Sequence, residues 1–299
     1  MRSLKNRTAP YVFLIPWILG FVILTAIPLF MSLYFSFTNY NLLTAPKTVG
    51  FSNYIKMFTT DVHFKNALKV TFLYVFVSVP LQLLVSLILA LVLNKGVPGL
   101  SMFRAAYYVP SLLGGSVAIS ILWRQIFGMQ GLLNLILQRM GINSTISWIA
   151  SPKTAVWTLV ILRMWQFGSP MIIFLAAIKQ VPAELVEAAE IDGATRLQRI
   201  TRIVIPMISP IILFNLIMQI ISAFKVFTES YIISGGGGGN GGLGGVRDSL
   251  LFYTLHIYSE GFNKMRMGYA SALAWFLVLI MAIVTGVIFA AARKFVYYE

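Results

Sequence analysis

The chain has 299 residues, of which 58% are hydrophobic and only 11% charged, and its mean hydropathy is +0.83. No soluble domain needs that much apolar surface, so the class is a polytopic α-helical membrane protein forming a single integrated bundle. The absence of cysteine excludes a disulfide framework, a thiol nucleophile and a thiolate metal site, while the net charge of +14 is spread without a basic run, which suits lipid headgroups and argues against nucleic acid.

Arg2, Lys5 and Arg7 precede an apolar run over 10–37. This run is too long for a cleaved leader and lacks an A-x-A site, so it is expected to be an uncleaved first span with a cytoplasmic amino terminus. Pro16 and Pro28 are expected to bend it. An outer loop rich in polar and aromatic residues follows over 38–65, then a second span over 67–93 and a tight inner turn over 94–99 that carries Lys95. The third span is expected over 103–127, with Pro110 and Gly114-Gly115 as a deformable middle. Residues 128–153 form an outer loop with a short interfacial helix over 132–139 and an anchoring Trp148. A fourth span over 154–178 is interrupted at Gly168-Ser169-Pro170, and a fifth is expected over 204–227. A flexible glycine run follows over 235–242. The sixth span, 267–292, is closed by Arg293 and Lys294. The expected division is an amino-terminal part over 1–66, a core over 67–292 and a tail over 293–299.

Between the fourth and fifth spans lies a charged island, 181–206, that holds four of the nine acidic residues, Glu184, Glu187, Glu190 and Asp192. Carboxylates in hydrocarbon cost several kcal/mol, so this stretch must be solvated or held by a partner. Pro182 suits a helix start, and Glu184, Glu187 and Glu190 favour the positive end of its dipole. Gly193 supplies a turn into a second helix with Arg196, Arg199 and Arg202.

The order Glu187-Ala188-Ala189, then Gly193, then Ile203-Val204-Ile205-Pro206 resembles the EAA signature of membrane subunits of binding-protein-dependent ABC importers, with Ile205 where leucine is usual. Residues 222–227, 233–237, Phe262 and 267–274 are similar to carbohydrate importer permeases of the MalF type, including glycerol-phosphate and oligosaccharide members. The glycine run lacks the proline that usually closes the family's T-x-G-G-P. The resemblance covers about 67–292 and implies an all-α, six-span, type I (MetI-like) permease core in the bacterial cytoplasmic membrane, with both termini and the bracket on the cytoplasmic side. Lysine and arginine counts on the two sides are nearly equal, so orientation rests on the amino-terminal cluster and on this likeness.

The resemblance also implies four partners: a second homologous permease, two copies of an ATPase, and an extracytoplasmic solute-binding protein. Glu187 would pair with a basic residue in the ATPase cleft, Ala188 and Ala189 would let the helix sit deep, Gly193 would make the turn, and Ile203 and Pro206 would close the motif. The chain has no G-x-x-x-x-G-K-[ST] loop. No cofactor is therefore expected here, ATP and magnesium belonging to the partner ATPase, and the chain is read as a transporter subunit and not an enzyme.

Asn215, Gln219 and Ser222 fall on one helical face, which Lys225 extends by a turn. Amides and hydroxyls suit sugar hydroxyls, and interhelical hydrogen bonding uses the same groups. Gln166 and Trp165 are further candidates for sugar contact. Arg124, Arg163 and Lys225 either line an outward cavity suited to an anionic glycan, or bind carbonyls and, for Lys225, pair with Glu229. An ion-coupled secondary transporter is the alternative class. It needs an intramembrane carboxylate, whereas every Asp and Glu is expected in a loop, in the bracket or, for Glu229, at a membrane edge. His63 and His256 lack an acidic partner at metal spacing.

Overall fold

A computed structural model describes residues 5–94, 100–236 and 242–293. Arg2, Lys95, Lys294 and most of the glycine run lie outside the described residues. Contacts divide the chain into two compact units, one made of residues up to Asp61 with Ile257–Val278, the other of Val62–His256 with residues from Leu279 onward.

The first unit begins with helix α1 (Lys5–Phe21), a π turn at Val22–Ala26 and helix α2 (Ile27–Ser36). Pro28 has no N–H and its ring crowds the carbonyl four residues back, so the helix widens just before it, and the Ile27 N–H reaches back to the Val22 carbonyl. The distortion expected from Pro28 therefore takes the form of a π turn, and Phe13–Ser36 still runs as one apolar span. Helix α3 (Ser52–Thr59) occupies part of the stretch expected as loop. It buries Asn53, whose amide donates to the Ser36 and Thr38 carbonyls at 2.8 Å each, satisfying the frayed end of α2.

The second unit is built on helix α4 (Val62–Leu93), which starts five residues before the sequence expectation. Its buried positions Thr71, Tyr74, Ser78, Gln82 and Ser86 recur every three to four residues and form one face. Helices α5 (Leu100–Leu113) and α6 (Val117–Ile126) meet at 94°, so the third segment is sharply broken at Gly114–Ser116, well beyond a deformable middle. Ser116 caps α6 through its hydroxyl, which makes the break a true helix start. Helix α7 (Leu132–Arg139) forms where expected. The Trp148 indole N–H donates to Asn134 Oδ1 at 2.9 Å, and Asn134 Nδ2 donates to the Met129 and Ile146 carbonyls, so this ring is tied within its own loop.

Helices α8 (Ala155–Trp165) and α9 (Gly168–Ile178) meet at 40°. The break falls at Gln166-Phe167, not at Gly168-Ser169-Pro170, which instead opens α9, because proline is tolerated in a first helical turn. Helices α10 (Ala183–Ile191) and α11 (Arg196–Arg199) form the bracket, followed by a π turn at Ile200–Val204 and helix α12 (Ile205–Met207). The widened turn again directly precedes a proline, Pro206. A 69° bend separates Arg196–Met207 from helix α13 (Ser209–Phe224), so the fifth span begins later than expected. Pro210 explains the bend, since it cannot continue the preceding turn. Helix α14 (Thr228–Ile233) packs on α6.

A tight 3₁₀ turn at Val246–Asp248 follows, where His63 Nδ1 meets Asp248 Oδ2 at 2.6 Å, an acidic partner that the sequence did not reveal. Helix α15 (Tyr253–Tyr258), a π turn at Ser259–Asn263 and helix α16 (Met267–Ala292) complete the chain, the last with the expected bounds of the sixth span. Among the described residues three helices are long and apolar enough to cross a membrane, and six segments do so if each bent pair is one span.

Candidate functional site

Two places combine polar chemistry with unusual geometry. The first is the bracket. Pro182 stands at the N-cap of α10, and Glu184 occupies its first turn. Its other end closes by a Schellman arrangement, with Gly193 N–H on the Glu190 carbonyl and Ala194 N–H on the Ala189 carbonyl at 2.9 Å. Gly193 takes φ +80°, and a Cβ there would meet nothing within 4 Å. Valine at this position is thus penalised through the backbone alone, by about 1–2 kcal/mol. Gly193→Asn should stay close to native in thermal unfolding and Gly193→Val should not.

Thr195 and Gln198 form a capping box at α11, and Arg199 pairs with Glu190 across the turn. The bracket is held by its own polar contacts, and no residue of α10 is buried. Ile191 is 87% exposed and Leu197 70%. Glu187 and Ala188 are exposed, Ala189 is half-covered, and Glu187 lines a cavity of about 490 Å³ with Lys179, Arg196 and Arg199. Ile203 and Pro206 lie on a neighbouring groove of about 810 Å³ beside Leu185 and Arg202.

The second place is the break in the fourth segment. Arg163, 7% exposed, donates from Nε to Gln82 Oε1 at 2.9 Å and from one terminal nitrogen to Gln219 Oε1 at 2.7 Å and the Gln219 carbonyl at 3.0 Å. Its other terminal nitrogen reaches Ser222 Oγ at 3.4 Å. A buried cation needs every donor engaged, and here neutral oxygens from α4 and α13 supply the partners. The α8–α9 break leaves carbonyls free. Gln82 Nε2 donates to the Gln166 carbonyl at 2.8 Å, Ser111 Oγ donates to the same oxygen at 3.0 Å, and Ser86 Oγ donates to the Phe167 carbonyl at 2.9 Å. Gln82 therefore serves both the cation and the open backbone.

Of the candidates for the substrate path, Arg163, Gln219 and Ser222 are joined in this network, and Gln166 enters it through its carbonyl. Asn215 stands apart, 2% exposed, donating to the Ile211 carbonyl at 3.0 Å. Lys225 is exposed, and among the described residues it makes no ion pair, with Glu229 or any other carboxylate. Arg124 is also exposed and Trp165 half-buried, its ring 5.9 Å from that of Trp123. Sequence reasoning missed Gln82, Ser86 and Ser111. The signal was the spacing of Ser78, Gln82 and Ser86, four residues apart in an otherwise apolar helix.

Residues 64–296 match the family described as binding-protein-dependent transport system inner membrane component. Among similar proteins, the probable ABC transporter permease protein YesP of Bacillus subtilis is 46% identical over 295 residues, covering 99% of this chain and 94% of the relative. The arabinooligosaccharides transport system permease protein AraP of the same organism is 32% identical over 285 residues, covering 94% and 87%. A chain of a bacterial alginate ABC transporter, solved with an alginate pentasaccharide-bound periplasmic protein, shares the fold at a TM-score of 0.82 and 23% identity, covering 98% of this chain and 96% of that one. A match over most of the length, with the EAA order and the membrane helices in place, shows that the chain belongs to the family of binding-protein-dependent transport system inner membrane components.

Proposed function

We propose that the chain is the permease subunit of an ATP-driven importer for a sugar or oligosaccharide, lying in the cytoplasmic membrane with both termini and the bracket in the cytoplasm. The single observation that carries the mechanism is the bracket itself, a self-supported helical turn that buries none of α10. The sugar class rests on relatives such as AraP and MsmF, the latter a multiple sugar-binding transport system permease protein of Streptococcus mutans. A second, similar permease completes the translocation path, two ATPase subunits bind ATP and magnesium, and an extracytoplasmic solute-binding protein delivers the cargo.

In this reading Glu187 forms an ion pair in the ATPase cleft, Ala188 and Ala189 allow close packing, and exposed Ile191 and Leu197 add apolar contact. A desolvated ion pair with small-residue packing transmits a rigid-body displacement that flexible contacts would dissipate. ATP-driven closure of the ATPase pair then moves the bracket, and the 69° bend at Ile208 carries that movement into α13 and its polar face. Gln219, Ser222 and Lys225 on that face are the residues offered to sugar hydroxyls, and Arg163 positions Gln219.

The test compares basal and binding-protein-stimulated ATP hydrolysis in nanodiscs for the native complex and for Glu187→Arg. The expected result is an assembled complex whose stimulation is lost. Normal hydrolysis and transport in the variant would remove Glu187 from the coupling contact, and failure of any ATPase to bind the native chain would overturn the importer reading.

A further inference from the structure

Helix α3 divides its surface into three sectors. Asn53 and Met57 face the protein, and Met57 is fully buried. On the uncovered side Phe51, Ile55 and Phe58 are 69%, 62% and 52% exposed and fall within about 60° of one another at 3.6 residues per turn. Ser52 and Thr59 follow about 40–60° beyond Ile55, then Lys56, so the uncovered side has an apolar half and a polar half. A water-facing helix has no reason to sort its exposed residues in this way.

The depth of the helix follows from α16, whose residues Met267–Val278 lie in the same unit as α3, when that span is centred in the hydrocarbon core. Its 26 residues span about 39 Å, against about 30 Å for the hydrocarbon core, leaving roughly 4–5 Å beyond the core at each end. The Tyr269 ring, under the Lys56 ammonium at 4.4 Å, therefore lies at the edge of the hydrocarbon. Phe276, nine residues after Met267, lies roughly 9 Å inside it. Phe58 packs edge-on against Phe276 with ring centroids 5.3 Å apart. The apolar half of α3 thus sits below the boundary and its lysine at the boundary, the arrangement of a snorkelling cation above a buried aromatic stripe. The stripe is also continuous along the chain with the first span, Phe13–Ser36, whose most apolar window has no buried residue and which must face lipid or a partner along its length.

We propose that α3 lies in the plane of the membrane interface, with Phe51, Ile55 and Phe58 in the acyl region of the leaflet at the carboxyl end of the first span. Its occupant is lipid. This inference needs the chain to be membrane-embedded and does not depend on which solute is carried.

The chain has no cysteine, so single nitroxide labels can be placed at Ile55→Cys and Thr59→Cys without further changes to this chain, the partner subunits being used in cysteine-free form. Both sites are exposed, so neither variant threatens folding. In nanodiscs holding the permease with its partner permease and ATPase, collision with oxygen and with a water-soluble nickel chelate is measured by power saturation. The expected oxygen-to-nickel accessibility ratio is roughly threefold or more higher at Ile55 than at Thr59. Equal, nickel-dominated access at both sites would place the stripe in water and overturn the proposal. Exclusion of both reagents at Ile55 would show that a protein partner covers it, and would overturn the proposal equally.

Discussion

Replacing Gln82 by leucine should cost the folded permease about 2–3 kcal/mol, since it takes an acceptor from a buried cation and a donor from an opened helix carbonyl. Arg163 Nε and the Gln166 carbonyl both lose their Gln82 partner in that variant. Among the described residues no carboxylate comes within ion-pair distance of Arg163, so its Nε would be left without the Gln82 acceptor, while the Gln166 carbonyl would keep only Ser111. Arg163→Met alone should be milder, because it removes the charge together with its need for partners. The double substitution Gln82→Leu with Arg163→Met should recover part of the loss, since a buried polar set can often be replaced by apolar groups of similar size at little cost. Thermal unfolding of the purified complex gives the order, with Gln82→Leu lowest. Equal stability of native protein and Gln82→Leu would show that the network contributes nothing to folding. Transport measured in the stable variants then reports whether Arg163, by holding Gln219, positions the polar face of α13.

The second large effect is expected at Gly168. In an unconstrained helix, glycine to alanine stabilises by about 1 kcal/mol. Here the sign should reverse. A Cβ on Gly168 would run into the carbonyl oxygen of Tyr107 and approach Tyr108 Cα to 2.8 Å, and both are backbone atoms of α5 that cannot swing aside. Gly168→Ala must therefore push α9 away from α5, at a cost of about 1–3 kcal/mol from overpacking. It would also strain the bond from the Ser169 N–H to Ser111 Oγ, 2.8 Å long in the native chain. Gly114→Ala is the internal comparison, because the nearest atoms to its Cβ are Cγ, Cδ and Nε2 of the Gln166 side chain, which can change rotamer, whereas the α5 backbone cannot. Gly168→Ala should lower the unfolding temperature and transport more than Gly114→Ala, which displaces one side chain and not a helix backbone. A neutral or stabilising Gly168→Ala would mean that α5 and α9 are not in backbone contact in the folded protein.

The class of the protein and its bracket were legible in the chain because both rest on local rules. Apolar runs of about 20 residues read as spans wherever they fall, and the sixth span and the short helix at Leu132–Arg139 formed where expected. The order from Glu187 through Gly193 to Pro206 is likewise a matter of spacing. It already contains the N-terminal charge, the positive-φ turn and the proline that shape the bracket.

What the tertiary structure decided were the breaks and the polar connections. Local signals placed the interruption of the fourth segment at Gly168-Ser169-Pro170. The chain opens two residues earlier, because Gln82, Ser86 and Ser111 on other helices take up the freed carbonyls of Gln166 and Phe167. The sharp 94° break between α5 and α6 is another such decision, since Gly114-Gly115 permits many angles and only packing selects one. Arg163 shows the reason most plainly: nothing in its neighbours along the chain says where its charge goes, because its partners lie 81 and 56 residues away. Sequence determines which groups must be satisfied, and only the assembled helices determine by whom.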